Sequence, residues 1–313
     1  AVPRDVGGHD VVLPLSGGYD SACVLGALAE ARHDMRAFSF SIDNPRPGSD
    51  ADVARRQADL LKIEHQFVPI DTGSFLGMLK TNVSCGLDMR NANYEISAYA
   101  RAAEIYRARF KDPLFCFGEQ SFGVTSYRLN GYDDLLGSIE LKSPKRLSTL
   151  APAVGSATAG RLRAELDRVY GTVIDGLPAG ISLFDACDRL RFSVRIGMNF
   201  APLRTYTAGS FVPFACPLLD IGLLDLMRSL SSESRLEKSL FTATVRQNLP
   251  ELLSIPRARF DQALPDLASM VRAEAGSIRD YIGALRVGIP GVMTPAQLHE
   301  FFQSVHAPRS TSH

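Results

Sequence analysis

The sequence predicts an α/β protein: a parallel, twisted sheet with helices on both faces, followed by a mostly helical C-terminal part. Three observations predict it. Over the first ~120 residues, short apolar runs alternate with helical patterns as strand–helix–strand–helix–strand–helix–strand. That order calls for crossover connections, which are right-handed and lay helices on the faces of a parallel sheet. From about residue 160 onward only helical patterns follow, and no internal repeat breaks them.

Each element has a local reason. Val11–Leu15 (VVLPL) is apolar and breaks into Ser16-Gly17-Gly18. Pro14 counts against a central place for this strand, because proline cannot donate to a ladder. Residues 19–32 read as a helix, with Ala22, Val24, Leu25 and Leu28 apolar. Arg36–Ile42 alternates and reads as the second strand. After the turn DNPRPGSD, residues 51–62 form an amphipathic helix that Ser49 or Asp50 is placed to cap. His65–Ile70 is the third strand, 92–110 a long helix, and Leu114–Phe117 a short apolar strand. Further helical patterns cover 160–171, 185–198, 220–230, 236–247, 262–285 and 295–304. The chain thus divides into an α/β core over 1–130, a mobile loop or lid over 131–160, a helical part over 161–306 and a disordered tail over 307–313.

Composition narrows the function. Lys and Arg total 34, as do Asp and Glu, so the net charge is zero and nothing favours nucleic acid or an anionic membrane as partner. No apolar run approaches the roughly 20 residues of a membrane span. The start, AVPRDVGGHD, lacks the basic and apolar regions of a secretory signal, and it lacks an initiator Met, as a processed or trimmed terminus would. Five widely spaced cysteines with no CxxC point to a cytoplasmic protein with reduced thiols rather than a disulfide or zinc framework.

The segment that carries chemistry is Ser16-Gly17-Gly18-Tyr19-Asp20-Ser21, set between a strand and a helix. The glycines allow a tight turn, and the following helix points free N–H groups and its positive end into that turn. Ser16 and Ser21 add hydroxyls, which completes a pocket for phosphate oxygens. Asp20 would repel phosphate unless a divalent cation bridges them, which implies Mg²⁺. No GK[ST] follows, so this is not a Walker loop, and the third glycine of the dinucleotide fingerprint is missing.

SGGxDS resembles the PP-loop of the N-type ATP pyrophosphatases, which split ATP between its α and β phosphates. Over about 16–125 and 185–260 the chain resembles the synthetase domain of asparagine synthetase and its relatives, among them β-lactam and carbapenam synthetases and lasso-peptide cyclases. Phe38–Ile42 is similar to the family's adenine strand, and Ser49–Val68 to its next helix and strand. Phe117-Gly118-Glu119 stands where the family has S-G-E. Val212-Pro213-Phe214, followed by Pro217-Leu218-Leu219-Asp220, resembles its VPFLD turn with Ala215 and Cys216 inserted. Glu237-Lys238-Ser239-Leu240 matches its G-K-x-L position.

The resemblance implies an adenine nucleotide α-hydrolase-like fold and an ATP-dependent, AMP- and pyrophosphate-forming ligase. Such an enzyme adenylates a small-molecule or peptide carboxylate and passes it to an amine. It implies that Leu15 and Ile42 flank adenine, with Phe117 and Gly118 beside the nucleotide. Ser16, Gly17, Gly18 and Ser21 would hold pyrophosphate, and Asp20 would bind Mg²⁺. Lys238 would neutralise charge on the phosphates, and Glu119 would serve the incoming amine as base or orienting group.

The sequence also departs from the family. Phe122 stands where the family has a Mg²⁺-binding Asp, Gly123 replaces the next Glu, and Gln120 replaces a glycine. Either Glu119, Asp133 or Asp134 compensates, or metal binding is weakened. The motif begins within 16 residues of the start, where glutamine-dependent members carry a glutaminase domain. Ammonia is then free, supplied by another polypeptide, or not the nucleophile; a homo-oligomer is compatible with any of these. Two other readings stay open: a tRNA-modifying PP-loop enzyme, and a non-catalytic scaffold of the same fold. The segment 124–160 is expected to close as a lid, and Lys142, Lys145 and Arg146 form a solvated face or an anion clamp.

Overall fold

The computed structural model describes residues 6, 8–31, 34–42, 44–71, 73–85, 94–120, 131, 134–135, 155–258, 266–285 and 296. Its strands are β1 (Asp10–Pro14), β2 (Met35–Ser41), β3 (Glu64–Pro69), β4 (Pro113–Cys116) and β5 (Phe214–Ala215). They form one parallel sheet in the order β3-β2-β1-β4-β5. The connections run outward from β1 in one direction and from β4 in the other. This reversal opens a crevice at the carboxyl ends of β1 and β4, the place where such sheets bind ligands.

Pro14 does not keep β1 from the centre. Leu15 N–H donates to the Phe38 carbonyl at 2.7 Å on the β2 side. The missing Pro14 N–H therefore faces the β4 side, where pairing has already ended at Val12↔Phe115.

Helices α1 (Tyr19–Glu30), α2 (Asp50–Leu60), α3 (Phe75–Ser84) and α4 (Glu95–Arg107) fill the first half. On one sheet face Val11, Leu13, Met35 and Ala37 meet Val24, Leu25 and Leu28 of α1 and Ala54 and Ala58 of α2. On the other, Val12, Phe38 and Phe115 meet Tyr99, Ala102 and Tyr106 of α4. The alternation of Val11, Val12 and Leu13 between faces is the period of a strand, and burial on both faces explains the continuous apolar runs. Phe38 and Phe115 place their ring centroids 5.2 Å apart, and the buried Tyr106 hydroxyl donates to the Ala37 carbonyl at 3.2 Å. The α2 cap is Ser49, whose Oγ accepts from Asp52 N–H at 3.3 Å.

The second half is helical, as the pattern predicts, with α5 (Ser156–Asp175), α6 (Leu183–Leu190) and α7 (Ala201–Tyr206). Between α6 and α7 the helix widens to i→i+5 turns over Arg191–Phe200. Then come α8 (Ile221–Ser229), α9 (Ser232–Arg235), α10 (Ser239–Asn248), α11 (Pro250–Ser254), α12 (Leu267–Ala273) and α13 (Ala275–Leu285). The elements with no counterpart in the sequence reading are α3, the short helices α7, α9 and α11, and β5, which is two residues long and exists through its pairing with β4.

The described residues divide into two units. One takes those within Ala1–Gly73, Gly77–Arg128 and Asp188–Pro265, so residues 188–258 belong with the sheet. The other takes those within Ser74–Leu76, Leu129–Cys187 and Asp266–His313. In that second unit the Glu274 carboxylate accepts from Phe75 N–H at 2.6 Å, Leu76 N–H at 3.0 Å and the Ser74 hydroxyl at 2.9 Å. These bonds, the Leu76 amide foremost, hold its carboxyl below the usual range. Of the expected lid over 131–160, all but 131, 134–135 and 155–160 lies outside the described residues, as do Lys142, Lys145, Arg146 and the tail.

Candidate functional site

A cleft of about 240 Å³ opens in the first unit at the carboxyl ends of β1, β2 and β4. Leu15, Ser16, Asp20 and Ser21 line it from the β1–α1 turn. Ser39 and Phe40 line it from β2, and Phe117, Gly118 and Glu119 from the exit of β4. Glu95 and Tyr99 of α4 and Arg204 of α7 complete the wall.

The turn needs its glycines. Gly17 has φ +70°, and a Cβ there would sit 2.9 Å from the Asp50 carbonyl and 3.0 Å from Val53 Cβ. Gln57 locks the turn from below, its Nε2 donating to the Gly17 carbonyl at 3.4 Å. Gly18 is the N-cap of α1, and among the described residues no side chain caps the helix, as suits an end whose first-turn amides meet an anion. The Ser16 and Ser21 hydroxyls lie 3.1 Å apart beside those amides. Gly118 lets the β4 exit lie flat on α1: a Cβ would come within 2.6 Å of Ser21 N and 2.8 Å of the Asp20 carbonyl carbon.

Lys238 reaches this turn from 218 residues away, its Nζ donating to Asp20 Oδ2 at 3.0 Å and Oδ1 at 3.2 Å. The reach depends on a strained step: Glu237 and Lys238 take φ of 54° and 57°, left-handed values that cost a non-glycine residue about 1–2 kcal/mol each. Gln120 Nε2 donates to the same Asp20 carboxylate at 3.3 Å. On Tyr19, the first residue of α1, the Arg257 guanidinium stacks at 3.5 Å from the ring centroid.

Among the described residues no group of three His, Cys, Asp or Glu side chains is gathered to hold a metal by protein alone. Asp20 offers one carboxylate to the cleft, next to phosphate-type donors. Mg²⁺ takes one or two carboxylates and completes its shell with phosphate oxygens and water, so the donor set fits a cation shared with a polyphosphate. Asp134 is exposed and does not line the cleft, while Phe122, Gly123 and Asp133 lie outside the described residues.

At the opposite wall Arg204 Nε and Nη2 both donate to Glu119 Oε1, at 2.9 and 2.5 Å. Its Nη1 donates to the Tyr99 hydroxyl at 2.8 Å and to Glu95 Oε2 at 3.4 Å. The guanidinium lies over the Phe117 ring, 4.7 Å from the centroid. Burial opposes its charge, but Tyr99, Glu119 and Glu95 raise its pKa well above the ordinary arginine value. Burial lifts the Tyr99 phenol out of the titratable range. Behind the cleft, His65 Nε2 pairs with Ser39 Oγ at 3.0 Å, and burial pushes its pKa down to about 4.

The structure thus brings Leu15, Ser16, Asp20, Ser21, Phe117, Gly118 and Glu119 to one cleft, with Gly17 and Gly18 shaping its turn and Lys238 paired to Asp20. β2 ends at Ser41, and Ile42 packs against the cluster on the α4 face, while Phe40 lines the cleft. Sequence reasoning missed Glu95, Tyr99, Arg204 and Arg257. The only signal they left was a helical pattern or an unremarkable loop.

Residues 5–111 match the family model for asparagine synthase. No curated protein matches the chain. Among solved structures, it is similar to a predicted subunit of a tRNA methyltransferase from Methanocaldococcus jannaschii, at 14% identity over 60% of this chain and 88% of that one, with a TM-score of 0.25. Glu119, Arg204 and Lys238 lie beyond the matched span. The sheet's first three strands, the SGG turn and α4 lie within it, so it is this region of the chain that is similar to asparagine synthase.

Proposed function

We propose that this chain is an ATP-dependent, AMP- and pyrophosphate-forming amide-bond synthetase. One observation carries the reading: an uncapped helix N-terminus behind an SGG turn, faced by the Asp20–Lys238 pair at the sheet's switch point. ATP binds with its phosphates at the α1 amides and the Ser16 and Ser21 hydroxyls, and its base toward the apolar side of the cleft at Leu15 and Phe40. Lys238 turns from Asp20 to the phosphates. Asp20 would hold Mg²⁺, which would supply charge neutralisation on the polyphosphate when bound.

A substrate carboxylate attacks the α-phosphate and pyrophosphate leaves, its charge stabilised by the amides and Lys238. An amine attacks the acyl-adenylate beside Glu119, and AMP leaves. The amine is part of the same substrate, free in solution, or delivered by a separate subunit. Three of the five cysteines, Cys23, Cys116 and Cys216, support acyl transfer over thiolation. Burial pushes Cys23 up to about 11 and Cys116 and Cys216 to about 12, which leaves no thiolate near neutral pH.

The test is incubation with α-labelled ATP, Mg²⁺ and a panel of carboxylates and amines. The expected result is AMP and pyrophosphate in equal amounts, dependent on both substrates. Release of ADP and phosphate would contradict it.

A further inference from the structure

Two N–H groups of Arg204 converge on one oxygen of Glu119, and this asymmetry has a chemical consequence. Nε and Nη2 both donate to Oε1, at 2.9 and 2.5 Å, in place of the side-by-side fork that would engage both oxygens. Among the described residues Oε2 has no hydrogen-bond partner, although Glu119 lines the cleft and its side chain is only 18% exposed. Arg204 cannot shift to share itself. Its third nitrogen is held by Tyr99 at 2.8 Å and Glu95 at 3.4 Å, and its plane lies on Phe117. The Tyr99 hydroxyl, which accepts from Arg204, reaches toward Glu95 at 3.5 Å, so the phenol is committed to the same network.

We infer that Arg204 is a positioning residue: it fixes Glu119 as a one-sided acceptor whose Oε2 receives an N–H from the substrate amine. The inference rests on the ATP-dependent reading above and sharpens it by naming what the β4 end of the cleft selects. A carboxylate held by a cation through one oxygen turns the acceptor lone pairs of the other to the cleft, so it favours a ligand that donates. Charge alone is a weaker criterion than donation here, because Arg204 already offsets one of the two carboxylates. A primary or secondary amine satisfies Oε2; a quaternary ammonium of similar size and charge does not. Glu119 is also the acceptor best placed to take a proton from that nitrogen as the C–N bond forms, while Arg204 touches no reacting atom.

Ligand-observed saturation-transfer NMR tests this with three probes: α,β-methylene ATP with Mg²⁺, then propylamine and tetramethylammonium added to the nucleotide-loaded protein. The expected result is propylamine binding in the millimolar range with tetramethylammonium at least tenfold weaker. Glu119→Gln and Arg204→Met should each weaken propylamine at least tenfold. Arg204→Lys, which restores a cation without the converging pair, should recover part of that loss. Thermal transitions confirm that each variant is folded, and Glu119→Gln and Arg204→Lys carry the test if Arg204→Met is not. Nucleotide binding without propylamine binding, equal binding of the two cations, or an Arg204→Lys protein indistinguishable from Arg204→Met would overturn the inference and leave the ATP reading standing. Absence of nucleotide binding would overturn the reading itself.

Discussion

At one end of the cleft Asp20 meets Lys238, with side chains 33% and 29% exposed. At the other Glu119 meets Arg204, 18% and 13% exposed, with the guanidinium pressed onto an aromatic ring. The first pair is wet, and its lysine is a single flexible donor, so it contributes little to stability and yields readily to a better partner such as a phosphate. The second is desolvated and planar, with several donors engaged, so it keeps its geometry whatever enters. One cleft therefore joins an exchangeable end, suited to charge that arrives and leaves, to a fixed end, suited to orienting a nucleophile.

The largest expected effect comes from removing the contact between the two ends. Gly118 joins the β4 exit to the α1 turn, and every atom its Cβ would strike is backbone. Gly118→Ala should cost about 1–3 kcal/mol of unfolding free energy, with loss of nucleotide binding. Urea titration and calorimetry check it, and a neutral outcome would show that the two ends are not rigidly joined. Next is the fixed end. Arg204→Met strands a mostly buried carboxylate and should destabilise by about 1–2 kcal/mol, read by urea titration. If the cost were below 1 kcal/mol, the contrast between the ends would fail.

A smaller effect concerns the buried support behind the cleft. His65 titrates near 4 instead of 6.5 because burial disfavours its charge. Between those values the unfolded chain binds a proton that the folded chain does not, so stability rises with pH and is lost as pH falls from 6.5 toward 4. His65→Gln should flatten that part of the stability–pH curve; an unchanged curve would refute the assignment. The smallest stability effect belongs to the exchangeable end. Lys238→Ala should change unfolding free energy by less than about 1 kcal/mol while weakening nucleotide binding at least tenfold.

The same contrast explains what the sequence made legible. The exchangeable end is coded locally: Ser16 through Ser21 are consecutive, and glycines, hydroxyls and helix start need no distant information. Lys238 and Glu119 were reached through resemblance rather than periodicity; Glu119 lines the cleft, and Lys238 pairs with Asp20. The fixed end is a product of tertiary folding. Arg204 lies 85 residues from Glu119 and 105 from Tyr99, on a helix whose NFAPLRTY pattern carries no motif. The end of β2 differs from the sequence reading by one residue, at Ser41 instead of Ile42, because a strand's end is set by its partners. β5 was invisible for a related reason: two residues form a strand only where β4 presents an open edge.

The central claim is that the SGG turn with Asp20 and Lys238 is a working nucleotide site. Calorimetric titration with α,β-methylene ATP and Mg²⁺ tests it directly, on the wild-type protein beside Asp20→Ala and Lys238→Ala. The account predicts micromolar binding to the wild type that each substitution weakens at least tenfold. A folded wild-type protein that does not bind the analogue, or variants that bind it equally well, would contradict it.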